Sequence, residues 1–270
     1  MLQEKEDQLL CKRLKELARI ADLKYADIYT DFLNLNDLNI FYQLKNDLPN
    51  IQYSLFGGYE NAERKMLCFH GLEIQGNYER KDRNECLLPI DVAKEHYPIQ
   101  CIHIRPMNKK FSDALSHRDF LGAVLNLGIE RDKIGDILIK ENEGFLFCNK
   151  NMSQYILAQL TKIKHTNVTC ELLRKTDFNI EPSYIDITGT VTSVRLDSIL
   201  ALAFQTSRSS ISSYISGGKV FVGGKQVLSN SYVLKENEIV SIRGLGKFCY
   251  LGTSYQTKKG RLLVHIKKYN

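Results

Sequence analysis

Val194–Val227 reads VRLDSILALAFQTSRSSISSYISGGKVFVGGKQV, and this stretch decides the fold of the C-terminal third. Leu196, Ile199, Leu200 and Ala203 stand at the i, i+3, i+4, i+7 spacing of one helix face. Gln205-Thr206 breaks that pattern. A second helix is expected from Ser207-Arg208-Ser209-Ser210, with Ile211, Tyr214 and Ile215 on one face and Gly217-Gly218 as its stop. Lys219 to Val222 reads as a strand, Gly223-Gly224 as a two-residue hairpin turn, and Lys225 to Val227 as the returning strand. Glu238 to Arg243 is a further strand.

The second helix starts unusually. A helix N-terminus carries partial positive charge and favours Asp or Glu, yet this one holds Arg208 among Thr206, Ser207, Ser209 and Ser210. A cation beside free backbone N–H groups makes an anion site. The plainer reading makes Thr206 or Ser207 only an N-cap, and for the serines it is preferred. The charge balance favours the anion for Arg208. Residues 182–270 carry 12 Lys or Arg against Asp186, Asp197, Glu236 and Glu238, a net +8, whereas residues 1–181 carry 25 basic and 27 acidic side chains, a net −2. The excess of +6 therefore lies wholly in this third and points to a polyanionic partner.

The order of these elements resembles the S4 RNA-binding domain, a helix-loop-helix on a small sheet. The resemblance rests on Arg195, Leu196, Asp197, Ser207, Arg208, Gly218, Val220, Val222, Gly224, Val233, Ile239 and Val240. Gly223 departs from the Asn usual before Gly, but glycine also accepts the positive φ of a type I′ turn. On this resemblance and on charge, RNA contact is expected from Arg195, Thr206, Ser207, Arg208, Lys219, Lys225, Arg243 and Lys247. Lys258, Lys259 and Arg261 are secondary candidates, and Lys267 and Lys268 read as a basic tail. Arg195 and Arg208 are expected outside the core, so their joint removal would weaken RNA binding without unfolding the domain.

Between Ile99 and Leu173 the periodicities alternate. A strand over Ile99–Arg105 ends at Pro106, and a helix runs from Ser116 or His117 through Phe120, Leu121, Val124 and Leu125 to Gly128. Strands over Lys133–Lys140 and Gly144–Cys148 follow. A helix capped by Asn151 then passes Ile156, Leu157, Leu160 and Ile163, and a last strand covers Asn167–Leu173. This β-α-β-β-α-β order is the ferredoxin-like arrangement shared by RRM domains. Gly144-Phe145-Leu146-Phe147 faintly echoes the RRM signature, but Glu143, Leu146 and Lys150 depart from it, so the two phenylalanines read as core. Gly122 is assigned to close packing. Arg131, Lys133 and Asp136 read as an internal ion-pair cluster ahead of an RNA or protein contact.

Nearer the N-terminus, Glu6–Asp22 is amphipathic, with Leu9, Leu10, Leu14, Leu17, Ala18 and Ala21 toward a core. Thr30 or Asp31 is expected to cap a second helix and Asn36-Asp37 a third, through Ile40, Phe41 and Leu44. Ile51–Phe56 reads as a strand, and Glu60–Lys65 as a charged surface helix. The fold class is thus α+β in three parts: a small N-terminal α+β domain (1–76), a central ferredoxin/RRM-like βαββαβ domain (77–181) and a C-terminal S4 domain (182–270). The polar run Glu79–Glu85 and the segment Phe178–Tyr184 read as linkers.

His117 to Ile137, with Phe56-Gly57-Gly58-Tyr59, Ala62-Glu63-Arg64-Lys65 and Arg243-Gly244-Leu245-Gly246-Lys247-Phe248, resembles the YlmH family of bacterial S4-domain proteins. That resemblance implies binding to the large ribosomal subunit, where the S4 domain meets ribosomal RNA and peptidyl-tRNA and supports untemplated tail addition in the rescue of stalled translation. It also implies a link with cell division through gene neighbourhood.

Other classes are narrowed by what the 270 residues contain. No apolar run approaches the ~20 residues of a membrane span, and the charged start, Met1 to Arg13, lacks a signal-peptide core. Seven scattered cysteines without a C-x-x-C pair read as reduced thiols in a cytoplasmic protein. Cys101-Ile102-His103 is the nearest approach to a metal pair and fits an alternating strand better. No phosphate loop, dinucleotide fingerprint or nucleophile elbow occurs. Arg195-Leu196-Asp197 looks superficially like the pseudouridine synthase motif but falls in the S4 helix. The expectation is a non-enzymatic, monomeric, cytoplasmic RNA-binding protein with no cofactor, metal or small-molecule substrate, its partners ribosomal and transfer RNA. An RNA-modifying enzyme and a division-linked scaffold are the alternatives.

Overall fold

The computed structural model describes residues 2–49, 51–60, 62–71, 96–173, 184–258 and 260–269. The chain divides into two compact units, Met1–Glu181 and Pro182–Asn270. The expected boundary at 76/77, the Glu79–Glu85 run and most of the Phe178–Tyr184 segment lie outside the described residues.

The first unit opens with α1 (Leu2–Lys24), β1 (Ile28–Leu33), α2 (Leu35–Leu44), β2 (Gln52–Phe56) and β3 (Lys65–His70). Leu14, Leu17, Ala18 and Ala21 of α1 are buried, but Leu9 is 65% exposed and faces away from the core. Ile28–Leu33 is a strand, not a capped helix: Tyr29, Thr30 and Phe32 favour the pleated conformation, and β3 pairs with them. The cap of α2 is Asn34, which accepts from the N–H groups of Asn36 and Asp37 while Asp37 accepts from the Asn34 N–H. The three strands form an antiparallel sheet in the order β1-β3-β2.

The second half of this unit comprises β4 (Ile99–Pro106), α3 (His117–Leu125), β5 (Ile134–Lys140), β6 (Glu143–Asn149), α4 (Lys150–Gln159), β7 (Lys162–Ile163) and β8 (Thr166–Leu173). Its sheet runs β5-β6-β4-β8-β7 with every pairing antiparallel. Without the short edge strand β7, this is the ferredoxin-like order. Ser116 and Asp119 box the start of α3. Asn149, not Asn151, caps α4 by accepting from the Asn151 N–H. Ile163 has left the helix for β7.

Strand alternation sorts the central side chains onto two faces. Ile102, Ile104, Leu146 and Cys148 pack under α3 and α4 with Phe120, Val124 and Ile156. Ile99, Cys101, Phe145 and Phe147 point the other way and meet Phe32, Met66 and Cys68 of the first sheet. The far face of that first sheet, through Leu33, Leu67 and Phe69, is covered by α1 and α2. Four layers result, helix–sheet–sheet–helix. The face that an RRM would offer to RNA is therefore the centre of this unit, with Phe147 only 1% exposed.

Among the described residues of the Glu60–Lys65 stretch there is no surface helix. Ala62, Glu63 and Arg64 form a connection into β3, and polar groups of Glu63 and Arg64 turn inward onto the segment that follows α3. Asp136 accepts from Tyr59 Oη at 2.8 Å, the Glu63 N–H at 2.7 Å and the Arg64 N–H at 3.2 Å. Arg64 in turn donates to the carbonyls of Ile134, Phe32 and Arg131 at 3.0, 3.0 and 3.3 Å. Arg131 donates to the Ile134 and Gly135 carbonyls, and Lys133 pairs with Asp31 at 2.6 Å. Arg131, Lys133 and Asp136 are thus internal joints.

The second unit consists of β9 (Tyr184–Val191), α5 (Leu196–Ala203), α6 (Arg208–Ser216), β10 (Val220–Val222), β11 (Lys225–Gln226), β12 (Glu238–Ile242), β13 (Gly246–Gln256) and β14 (Leu262–Tyr269). The strands form one antiparallel sheet in the order β11-β10-β12-β13-β14-β9. Leu196, Ile199, Leu200, Ile211 and Ile215 pack from the helices onto Val220, Val240, Phe248, Val264 and Ile266. Gly223 and Gly224 both have positive φ, +54° and +80°, as a type I′ hairpin requires.

Candidate RNA interface

The helix pair of the second unit is built around one acid. Gln205 adopts a left-handed φ of +49° after α5 and turns the chain into α6. That reversal brings Arg208, in the first turn of α6, back beside Asp197, in the first turn of α5. Arg195 precedes α5 and donates through Nε to Asp197 Oδ1 at 3.2 Å, while Arg208 donates through a terminal nitrogen to Asp197 Oδ2. The Asp197 side chain is 6% exposed, whereas those of Arg195 and Arg208 are 41% and 54% exposed. Burial pushes the Asp197 carboxyl up, but the hydrogen bonds and charges of Arg208 and Arg195 outweigh it, so the group ionises below its ordinary range.

Two cations around one anion leave a net +1 at this junction, with both guanidiniums half open to solvent. Each retains N–H groups for a phosphate. Both arginines lie outside the core, but each is tied to a buried carboxylate, so their joint removal acts on the fold as well as on RNA, contrary to the expectation from sequence. Ser207 caps α6 by accepting from the Ser210 N–H at 3.2 Å, and its Oγ lies 2.9 Å from Ser209 Oγ. The Thr206 N–H donates to the Ala201 carbonyl.

The remaining expected residues lie elsewhere on the unit. Lys219 and Arg243 are neighbours, joined by the Arg243 N–H to Lys219 carbonyl bond at 2.9 Å. Lys219 Nζ lies over the Tyr214 ring at 5.5 Å, and Arg243 stacks over Phe221 at 4.7 Å. Lys225 sits at the other end of β10, beyond the Gly223-Gly224 turn. Lys247 lies 4.4 Å over Tyr269, on the sheet face turned away from the helices.

That outer face also holds Lys267 over Tyr184 at 5.8 Å, next to the Tyr184–Tyr269 ring pair. Lys267 and Lys268 are therefore strand residues of β14, Lys268 covering Phe204 on the helix side, and not a loose tail. Reading β14 as a strand, with Val264 and Ile266 inward, would have exposed this alternation. Arg261 donates to the Thr190 carbonyl at 2.7 Å and ties β14 to β9. Lys259 lies outside the described residues.

Among the described residues, one cluster brings metal-type ligands together: Asp27, Cys68 and His70, with ligand atoms within 4.8 Å of one another. Its polar atoms already satisfy each other. His70 lies between Asp27 at 3.2 Å and Ser54 Oγ at 2.8 Å, and Ser54 reaches Tyr97 Oη at 2.8 Å. Burial pushes the Cys68 thiol up to about 12. Cys101 and His103 do share a strand face. His103 stacks on Phe145 at 4.5 Å and pairs with Glu143 at 2.7 Å.

Comparison with known proteins bears on these surfaces. The family model described as "Putative RNA-binding domain in YlmH" matches residues 93–177, and the S4 domain model matches residues 194–240. The chain is 27% identical over 267 residues to a Bacillus subtilis (strain 168) protein named "Ribosome-associated protein quality control protein P2", covering 98% of this chain and 96% of that one. A solved structure, "Cell division protein ylmH from Streptococcus pneumoniae", is 23% identical with a TM-score of 0.45, covering 63% of this chain and 93% of that one. Among the described residues, no helix is long and apolar enough to cross a membrane.

Proposed function

The chain belongs to the YlmH family of S4-domain proteins, and on that premise we propose that it binds RNA on the large ribosomal subunit and supports the rescue of stalled translation there. The observation that carries this reading is the Arg195–Asp197–Arg208 junction. It holds a net positive charge, half exposed, at the paired helices of an S4 unit that carries the chain's whole basic excess. A charged junction of this kind suits the phosphates of a structured RNA, whose base edges are hidden in a deep groove. Likeness along nearly its whole length to a ribosome-associated quality-control protein supplies the ribosomal setting.

Its role is to hold RNA rather than to transform it. Arg195, Thr206, Ser207, Arg208, Lys219, Lys225, Arg243 and Lys247 make the contact, ribosomal RNA and peptidyl-tRNA are the partners, and the protein works as a monomer in the cytoplasm.

Lys219 and Arg243 test the reading without disturbing a buried charge. Lys219→Ala with Arg243→Ala should weaken binding of the full chain to a labelled RNA duplex roughly tenfold. The slope of log affinity against log salt should fall by about two, one for each phosphate no longer neutralised. An unaltered slope would remove these two residues from the RNA-binding surface. Turnover of a ribosomal or transfer RNA substrate by the purified protein would favour an RNA-modifying enzyme instead.

A further inference from the structure

The central domain cannot use the sheet surface by which an RRM holds RNA, because Phe145 and Phe147 are buried against Phe32 and Met66. A second surface has the right character. Between α3 and the segment from the end of α4 through β7 runs an open groove of about 580 Å³. One wall carries Arg118 and Gly122 of α3 and Asn126 at its C-terminal cap, spaced by one turn each and spanning about 12 Å. Lys162 and Lys164 form the opposite wall.

The charges here are unevenly used. Lys164 pairs with Asp119 at 2.8 Å. Arg118 and Lys162 are exposed and paired with no acid among the described residues. The groove therefore holds three cations and one anion.

Gly122 supplies an independent observation. It stands inside a nine-residue helix, where glycine is less favourable than almost any other residue. Nothing lies within 4 Å of where its Cβ would be, so close packing within the fold does not require it, contrary to the expectation from sequence. A missing side chain that the fold does not need, in the wall of a basic groove, leaves the helix surface bare for something outside the chain to approach.

We propose that this groove, with Arg118, Lys162 and Gly122 at its centre, receives the sugar–phosphate backbone of RNA as a second binding surface besides the S4 unit. Arg118 and Lys162 neutralise phosphates from opposite walls, and the bare helix surface at Gly122 lets the backbone lie close between them. The inference rests on the RNA-binding reading above and names the surface by which the domain matched at residues 93–177 takes part in it.

The test uses the full chain, a fluorescein-labelled RNA duplex and fluorescence anisotropy over a range of salt. Arg118→Ala with Lys162→Ala should weaken binding several-fold and lower the salt slope by about two. Gly122→Gln changes no charge and places a better helix former in open space. It should melt at or slightly above the unaltered protein, by about 2 °C, yet bind RNA less tightly. Unaltered affinity and slope in both groove variants would overturn the proposal. If the Lys219/Arg243 variant had meanwhile bound RNA more weakly, RNA binding by the S4 unit would stand. If neither set altered binding, the broader reading would fall with it. Full RNA affinity combined with failure to co-sediment with large subunits would assign the groove to a protein and also overturn the proposal.

Discussion

Replacing Arg195 and Arg208 together by alanine is expected to destabilise the second unit by about 3–4 kcal/mol, the cost of leaving a buried carboxylate uncompensated. Asp197 is closed off from water, and these two arginines are its charged partners. Either arginine alone still leaves one guanidinium beside it, so each single variant should lose less than half as much. Adding Asp197→Asn to the double variant removes the stranded charge and should restore most of the loss. Denaturant unfolding followed by circular dichroism would read all four proteins.

The same junction sets a pH window. The Asp197 carboxyl ionises below its ordinary value in the folded protein. Its contribution is therefore fully present above the unfolded value of about 3.9 and is lost as the pH falls through the folded value. The gap between the unaltered protein and the triple variant should close below about pH 4. One consequence concerns binding experiments: weaker RNA binding by the double arginine variant would combine the removal of phosphate partners with damage to the fold. Lys219 and Arg243 are the cleaner probes.

The second large effect is expected at Arg64. Its guanidinium donates to carbonyls of Phe32, Ile134 and Arg131, which lie on different elements of the first unit. Burial lowers the Arg64 pKa, and the charges of Asp136, Asp37, Glu63 and Asp132 pull the other way. Arg64→Ala removes three charge-assisted hydrogen bonds, although the Ile134 and Arg131 carbonyls keep other donors, and should cost about 3 kcal/mol. Arg64→Lys keeps the charge but cannot reach three carbonyls with one ammonium, and should recover only part of it. Thermal melting of both variants would check this. A fall of less than about 1 kcal/mol in Arg64→Ala would mean that the guanidinium contributes little to joining the two sheets.

How far the sequence reveals this molecule depends on the kind of pattern each element carries. The S4 helices are legible because Leu196, Ile199, Leu200, Ile211 and Ile215 repeat at helix spacing and glycines close the second helix. The central domain is legible because its strands and helices alternate at turn-length intervals. Lys65–His70 escapes notice since residues 66–70 are all buried, and a strand covered on both faces shows no alternation. Ile28–Leu33 misleads because Thr30 and Asp31 are residue types that also cap helices. Arg64 and Asp136 stand 72 residues apart, so no local pattern can join them.

Site residues divide similarly. Arg195, Asp197 and Arg208 are visible as residues, but not their shared hydrogen bonding, which needs the chain reversal at Gln205. The groove beside α3 is invisible in sequence because Arg118 and Lys162 come from separate elements, and Gly122 looks like an ordinary packing glycine.

The most direct test of the central claim is sucrose-gradient sedimentation of a tagged full chain from cells with stalled translation. Co-migration with free large ribosomal subunits carrying tRNA, lost steeply as salt rises, is the expected result. A protein that stays at the top of the gradient even at low salt, with its tag accessible, would contradict it.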